Sequence, residues 1–362
     1  MRSARIALTA TMVVVGLLGI GAVIMSAGVA GATASIFAAL LPAPVLAGLV
    51  LLFDRYEPEP PGLLMLTFGF GATGAVAIGA VLGIFGQGMT MAFFGQQVGE
   101  FLGTVAIAPV VEEIAKGAAV LVVFWRLKDR FNGVVDGVVY AAMVGLGFHF
   151  AEDVLYYSGA FLEGPGAFTS TVLVRGVFSA FTHPLFTAMF GIGVALAAED
   201  PRWRPAGPLL GLVGAISLHA IWNAATYLGE GFILVYLGVF IPVLAVVVAV
   251  TWIATRREGQ VLRTYLNADV STGLLTDEEV GEVASPRRRH AMVRFAAQQG
   301  GVPAREARKA FHQAAAQLAF YRYRRRLNPP DPEVELGWVR AIARYKRWVD
   351  SAWAVPSGIG EL

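Results

Sequence analysis

The chain has 362 residues, 56% hydrophobic and 15% charged, with a mean hydropathy of +0.62, a composition of polytopic membrane proteins rather than of a soluble domain. It has no cysteine, which excludes disulfides, thiolate metal ligands and a cysteine nucleophile. The net charge of +2 hides an asymmetry: 18 of the 28 Lys/Arg but 12 of the 26 Asp/Glu lie from Arg256 onward, so a basic tail follows an acidic, apolar part.

In chain order, runs of about 20 apolar residues, the length a spanning helix needs, predict eight spans: 6–28, 33–53, 62–85, 101–125, 133–157, 170–197, 206–228 and 232–254. The first follows Arg2 and Arg5 and leads to small residues from Ala27 to Ala32, as in a secretory signal. Its apolar run is longer than a signal's, which favours an uncleaved anchor. Arg55, the group Arg126, Lys128 and Arg130, the pair Arg202 and Arg204, and the pair Arg256 and Arg257 occupy alternate connections. The intervening ones, near 29–32, 86–100, 158–169 and 229–231, hold no Lys or Arg. The positive-inside rule then places both termini in the cytoplasm of a multi-pass plasma-membrane protein. The expected fold is an all-α membrane helix bundle over 1–255 with a soluble, mainly helical tail over 256–362.

The tail has few helix breakers between Ala291 and Leu318 apart from Gly300, Gly301 and Pro303. Arg322, Arg324, Arg325 and Arg326 cluster beyond it, interleaved with Tyr321 and Tyr323. Their expected role is a solvated surface against anionic lipid, where each basic residue contributes about 1 kcal/mol. Nucleic acid is not an expected partner, because no recognised binding motif is present.

Ionisable residues inside the spans carry the functional signal, since a carboxylate at bilayer depth costs on the order of 2.5–3.5 kcal/mol. Glu112 and Glu113 lie in the fourth span, with Lys116 within helical reach of both. Glu152 and Asp153 lie in the fifth, where His149, three residues before Glu152, is expected to be its partner. His183 precedes Pro184 in the sixth, where the proline is expected to kink the helix and free a carbonyl. His219 and Asn223 are i,i+4 in the seventh. Arg175 is expected to be ion-paired or to snorkel to the membrane surface. At about 1.5 Å per residue, Glu112, Glu152, His183 and His219 lie roughly 8–20 Å from the outer ends of their spans. They can therefore meet in one site open to the extracytoplasmic side. A carboxylate held there is suited to take a proton from water and return it to a leaving amine.

These residues resemble the PrsW family of intramembrane endopeptidases, related to the type II CAAX prenyl endopeptidases. Asp54-Arg-Tyr-Glu-Pro-Glu-Pro is similar to the family's Asp/Glu-Pro element, and Glu112-Glu-Ile-Ala-Lys116 to its Glu-Glu-x-x-Lys motif. Phe148-His-Phe-Ala-Glu152 is similar to Phe-x-x-x-Glu, and His183 and His219-Ala-Ile-Trp-Asn223 to its histidine motifs. The resemblance covers about 45–255 and departs at Asp153, where the family usually has Asn. It implies hydrolysis of a peptide bond in a membrane-anchored protein near the extracytoplasmic side, in some members an anti-sigma factor.

Two chemistries fit the set. In one, Glu112 or Glu113 activates water as general base, while His183, His219 and Asn223 position it and stabilise the oxyanion, with Glu152, Lys116, His149 and Asp153 in support. In the other, His183, His219 and a glutamate bind Zn²⁺, which lowers the pKa of a bound water to about 7. The missing His-Glu-x-x-His spacing favours the metal-free version. Two non-proteolytic readings compete. A proton-coupled transporter also uses membrane carboxylates and histidines, but no inverted repeat or matched pair of broken helices accompanies them. A scaffold would use the bundle only to anchor the tail.

Overall fold

The computed structural model describes residues 2–127, 131–325 and 331–353, so Lys128, Asp129, Arg130 and Arg326 lie outside the described residues. Every regular element among those residues is a helix. The chain divides into two units: 1–53 with 59–251, and 54–58 with 252–362.

The first unit opens with α1, Arg2–Leu40, broken at Gly28 (φ 69°, ψ 174°), and α2, Pro42–Leu51. Helix α3, Pro61–Phe94, contains one widened turn at Gly71–Ala75. Gly95 (φ 80°) then turns the chain into α4, residues 96–127, which has a second widened turn at Gly103–Ile107. Helix α5 is Val134–Glu163; α6, residues 165–178, ends in a widened turn at Val174–Phe178. Helix α7 is Thr182–Glu199 and α8 is Ala206–Ala225. After a break at Gly229 (φ 57°), α9, residues 232–266, has another widened turn at Tyr236–Phe240.

Among the described residues, five helical runs are long and apolar enough to cross a membrane: Ile6–Leu51, Pro61–Phe94, Val134–Glu163, Pro165–Glu199 and Ala206–Ser271. The segment expected at 101–125 is helical but is not among them, because Glu112, Glu113 and Lys116 reduce its apolar character. The expected connection at 86–100 is itself helical, in α3 and α4. The sixth span differs most from expectation. Its helix stops at Phe178 and restarts at Thr182, so Pro184 sits in the first turn of α7. There a proline forfeits no internal hydrogen bond, so it helps to start a helix rather than kinking one.

Helix α5 is the spine of this unit, and small residues bring its neighbours to backbone contact. A side chain at Gly145 would meet the His183 carbonyl at 2.5 Å. Gly137 and Gly191 face each other's carbonyls, as do Gly193 and Gly207, joining α5 to α7 and α7 to α8. On the other side of α5, Gly147 abuts the Phe68 carbonyl and Gly71 the Val144 carbonyl of α3 and α5. Near the opposite end of α5, Val154 and Tyr157 pack with Val23, Ala32 and Ala39 of α1.

The second unit is also helical: the end of α9 is followed by α10 (Ala268–Ser271), α11 (Asp277–Val283), α12 (Pro286–Arg324) and α13 (Pro332–Trp353). Leu262, Leu266, Leu275, Val283, Phe311, Leu318 and Ile342 form its core. Helix α12 breaks at Gly300 and at Gly301 (φ 62°), as its composition suggests. The arginine cluster differs from the expected solvated surface. Arg322 binds Asp269 at 2.5 Å and Glu335 at 2.9 Å, and Arg325 also pairs with Glu335, so these charges tie α12 to α10 and α13. Tyr56 and Glu57 belong to this unit: the Tyr56 carbonyl accepts from Arg289 Nη1 at 2.6 Å, and Glu57 accepts from Gln317.

Candidate active site

Helices α4, α5, α7 and α8 bring five of the proposed site residues into one chain of polar contacts. Glu152 Oε2 lies 2.9 Å from His183 Nε2, and His183 Nδ1 lies 3.0 Å from Lys116 Nζ. Lys116 Nζ is 2.6 Å from Glu113 Oε1, which in turn is 2.9 Å from His219 Nδ1. Glu112 stands beside this chain, its Oε2 3.9 Å from both Lys116 Nζ and His219 Nε2.

The contacts fix the state of each ring. A lysine ammonium only donates, so His183 Nδ1 accepts and the proton on Nε2 points to Glu152. Glu113 accepts from His219 Nδ1, which leaves the Nε2 lone pair on the side of Glu112. The Phe186 ring stacks on His219 at 5.0 Å, and the Phe148 ring lies 4.0 Å below Lys116 Nζ, so both are held from the apolar side.

The two adjacent glutamates occupy different environments. Glu113 is 1% exposed, bound by Lys116 and His219, with Thr187 Oγ1 3.4 Å from its second oxygen. Glu112 lines a cavity of about 440 Å³, and its Oε2 is buried without a hydrogen-bond partner. Gly79 leaves room for it, since a side chain there would meet Glu112 Cγ at 3.1 Å. Glu152, His183, His219 and Asn223 also line the cavity. Asn223 Nδ2 donates to the Thr104 carbonyl at 2.9 Å, in the widened turn of α4.

One expectation changes here, and for Arg175 one of the two expected roles is met. His149 does not partner Glu152: its nearest carboxylate is Asp153, with Nε2 3.2 Å from Oδ2, because Glu152 is taken by His183 and Arg175. Arg175 is ion-paired inside the site, its Nη2 2.5 Å from Glu152 Oε2 and its Nε 2.6 Å from Asp153 Oδ1, and it lines the cavity. Tyr157 donates to Asp153 Oδ2 at 2.9 Å. Among residues that sequence reasoning passed over, Tyr156, Trp222, Gln87 and Thr104 also line the cavity. They carry no charge, and only Trp222 falls inside a quoted motif, between His219 and Asn223. Glu59 of the acidic-proline element accepts from Tyr140 and is not part of the cavity wall.

The residues fit a divalent metal ion. Glu112, His183 and His219 each offer a ligand atom within 4.8 Å of the others, as do His149, Glu152 and His183. The first set contains the unpartnered Glu112 Oε2 and the free His219 Nε2, and His183 joins it by exchanging one of its present partners. One carboxylate with two imidazoles is a donor set of catalytic zinc.

A family model described as PrsW family intramembrane metalloprotease matches residues 59–252, more than half of the chain and all of the cavity wall. Protease PrsW of Oceanobacillus iheyensis is 26% identical over 113 residues, 31% of this chain and 49% of that protein. Protease PrsW of Geobacillus kaustophilus is 28% identical over 156 residues, 43% of this chain and 63% of that protein. The chain thus matches 49% and 63% of the length of these curated relatives, less than two thirds of either. No solved structure matches it. The chain belongs to the PrsW family.

Proposed function

We propose that the chain is an intramembrane endopeptidase that hydrolyses a peptide bond of a membrane-anchored protein, with Glu112 as the group that takes the proton from water. The observation that carries this reading is the Glu112 carboxylate, facing the cavity with Oε2 unpartnered, beside a Glu113 fully engaged in holding Lys116 and His219. The 3.9 Å between Glu112 Oε2 and His219 Nε2 is too long for a direct hydrogen bond, so neither group is tied up by the other. Glu112 accepts its proton as the oxygen attacks the scissile carbonyl, then returns it to the leaving amine. Asn223 spends one N–H on Thr104 and has a second for the developing oxyanion. Glu152 holds the Nε2–H of His183, and Lys116 keeps a positive charge beside both glutamates.

Glu112, His183 and His219 are the residues that would hold a zinc ion, and Glu112 would then be a ligand rather than the base; the reading proposed is the metal-free one. When bound, such an ion supplies Lewis-acid activation of water.

The eight-span arrangement with both termini cytoplasmic belongs to the same reading. Ile6–Leu51 and Ala206–Ser271 have 46 and 66 residues, about 70 and 100 Å of helix against a hydrocarbon core of about 30 Å. Each is broken at a glycine, Gly28 and Gly229, where the chain can turn back for a second crossing. The segment 101–125 supplies the eighth crossing, its carboxylates facing partners inside the bundle. The connection at 158–169 then lies outside the cell, on the side from which a substrate such as an anti-sigma factor would be cut. The basic second unit then lies in the cytoplasm.

Mapping of protein N termini in membranes tests the reading. Cells producing the wild-type chain should show new termini in single-span membrane proteins that are missing from cells producing Glu112→Gln at equal level. Identical terminus sets would remove the protease assignment.

A further inference from the structure

We propose that Gln87, with the open backbone at Gly83 one turn before it, is a positioning residue that holds an extended stretch of the substrate's main chain close to the bond that is cut. The proposal rests on the protease reading and deepens it, by assigning a binding surface that the catalytic motifs do not include.

Helix α3 turns one face to the cavity, and Gly79, Gly83 and Gln87 follow one another along it at i, i+4 and i+8. Most glycines around it are needed for close packing. A side chain at Gly79 would meet Glu112 Cγ at 3.1 Å, one at Gly86 Ile107 Cγ2 at 2.5 Å, and one at Gly103 Gln87 Cγ at 2.7 Å. Gly83 is different. It lines the cavity, yet no atom lies within 4 Å of where its Cβ would stand, and its φ is not positive. Neither packing nor backbone strain calls for a glycine there; the missing side chain leaves the cavity wall open.

Gln87 lines the same cavity, half-buried in the largely apolar stretch Val76–Phe94. Thr90 Oγ1 donates to its backbone carbonyl at 2.8 Å, whereas its side-chain amide has no hydrogen-bond partner among the described residues. A glutamine inside a membrane helix ordinarily bonds to a neighbouring helix, because an amide without a partner costs free energy in apolar surroundings. Here the stem packs on Gly103, at the start of the widened turn of α4, and the amide is left to the cavity. A carboxamide carries acceptor and donors together, the complement of a peptide group. A substrate helix has its own peptide groups paired, so the segment that can use Gln87 is extended, with N–H and C=O free.

Spacing sets the register. Gln87 is four residues of helix from Gly83 and eight from Gly79, which backs Glu112, roughly 6 and 12 Å at 1.5 Å per residue. An extended chain advances about 3.3 Å per residue, which puts the peptide group held by Gln87 about two to four residues from the bond beside Glu112.

Kinetics and cross-linking test the proposal on the full chain in liposomes, with a single-span protein found by terminus mapping as substrate. Gln87→Met keeps the stem on Gly103 and removes the amide. Its KM should rise about fivefold or more, with kcat and Tm close to wild type, the signature of lost binding rather than lost chemistry. Gly83→Leu fills the open wall without a clash and should raise KM similarly, with Tm at or above the wild-type value. Wild-type KM in a folded Gln87→Met chain would overturn the proposal. The absence of cysteine supplies a positional readout. Gln87→Cys/Glu112→Gln, in which turnover is blocked, is joined by a short bis-methanethiosulfonate linker to single cysteines placed along a substrate stripped of its own. Cross-linking should peak about two to four residues to one side of the cut. A peak elsewhere, or none, would overturn the proposal whatever the kinetics. A wild type that cleaves nothing beyond Glu112→Gln would bring down the protease reading and this proposal with it. Cleavage by wild type with unchanged KM in the variants brings down this proposal alone. Should Gln87→Met not fold, Gly83→Leu decides by the same KM.

Discussion

Glu113 and His219, 106 positions apart in the chain, meet with 2.9 Å between Oε1 and Nδ1. The contact orients the imidazole so that Nε2 faces Glu112, and it takes Glu113 out of contention as the residue that meets water. Glu113 and Lys116 are 1% and 0% exposed, so each neutralises a charge that the bundle could not otherwise hold. Glu113→Gln should therefore destabilise the protein by about 3–5 kcal/mol, the usual cost of breaking a buried pair. Lys116→Met alone should do the same, and the double variant should recover most of the loss. Thermal unfolding in detergent measures this; additive losses would show that the pair is not coupled.

Zinc titrated into chelator-treated protein should bind at one ion per chain. Glu112→Gln, His183→Ala and His219→Ala should each abolish that binding, as read by calorimetry or by metal content after gel filtration. Stoichiometric binding that survives all three would place the ion elsewhere.

Orientation can be read by labelling, because the chain has no cysteine of its own. Glu163 and Arg202 are exposed at helix ends that the proposed topology assigns to opposite sides of the membrane. A Glu163→Cys variant should react with an impermeant maleimide in intact cells, and Arg202→Cys only after permeabilisation. The reverse pattern would invert the topology and move the site's access to the cytoplasm.

In the second unit, Glu282 binds both Arg308 and His312. Burial pushes the Glu282 carboxyl up, but the bonds from His312 and Arg308 outweigh it and hold the group below its ordinary value. Burial lowers His312 below its ordinary 6.5, against the opposing bond to Glu282. A depressed value in the folded state means that the unfolded chain takes the proton first. Stability linked to His312 is thus complete above about pH 6.5 and falls as pH drops toward its folded value, and that of Glu282 follows below about 4.5. Amide exchange in Asp277–Val283, corrected for intrinsic rates, should show constant protection from pH 8 to 7 and loss below 6.5. His312→Gln should flatten the upper part of that profile. A wild-type profile flat down to pH 5 would contradict the assignment.

Much of the site was legible because helical spacing is arithmetic. Lys116 reaches the glutamates three and four residues before it, and charges on separate spans had nowhere to meet except inside the bundle. What sequence could not supply depended on competition between partners. His149 was within reach of both Glu152 and Asp153, and which it took depended on Arg175, on another helix. Pro184 reads as a kink in a continuous apolar run, yet the run is interrupted at 179–181, where hydropathy gives no sign of a break. Span number is coarser in the structure than in the sequence: the helical runs continue through Gly28 and Gly229, where the sequence places connections, and three ionisable side chains keep 101–125 out of the apolar set. In the tail, Arg322 turns inward because Asp269 and Glu335 come from distant helices, a pairing no local pattern announces.

The central claim is that the Glu112 carboxylate moves the proton of the attacking water. Its most direct test is the turnover of chelator-treated, zinc-free wild type and Glu112→Gln, reconstituted in liposomes with a single-span protein found by terminus mapping. The amide keeps the shape of the side chain but cannot accept the proton. The account predicts a fall in kcat of about 10²–10⁴-fold, with KM and Tm close to wild type. Turnover within a few-fold of wild type in a folded Glu112→Gln protein would contradict it.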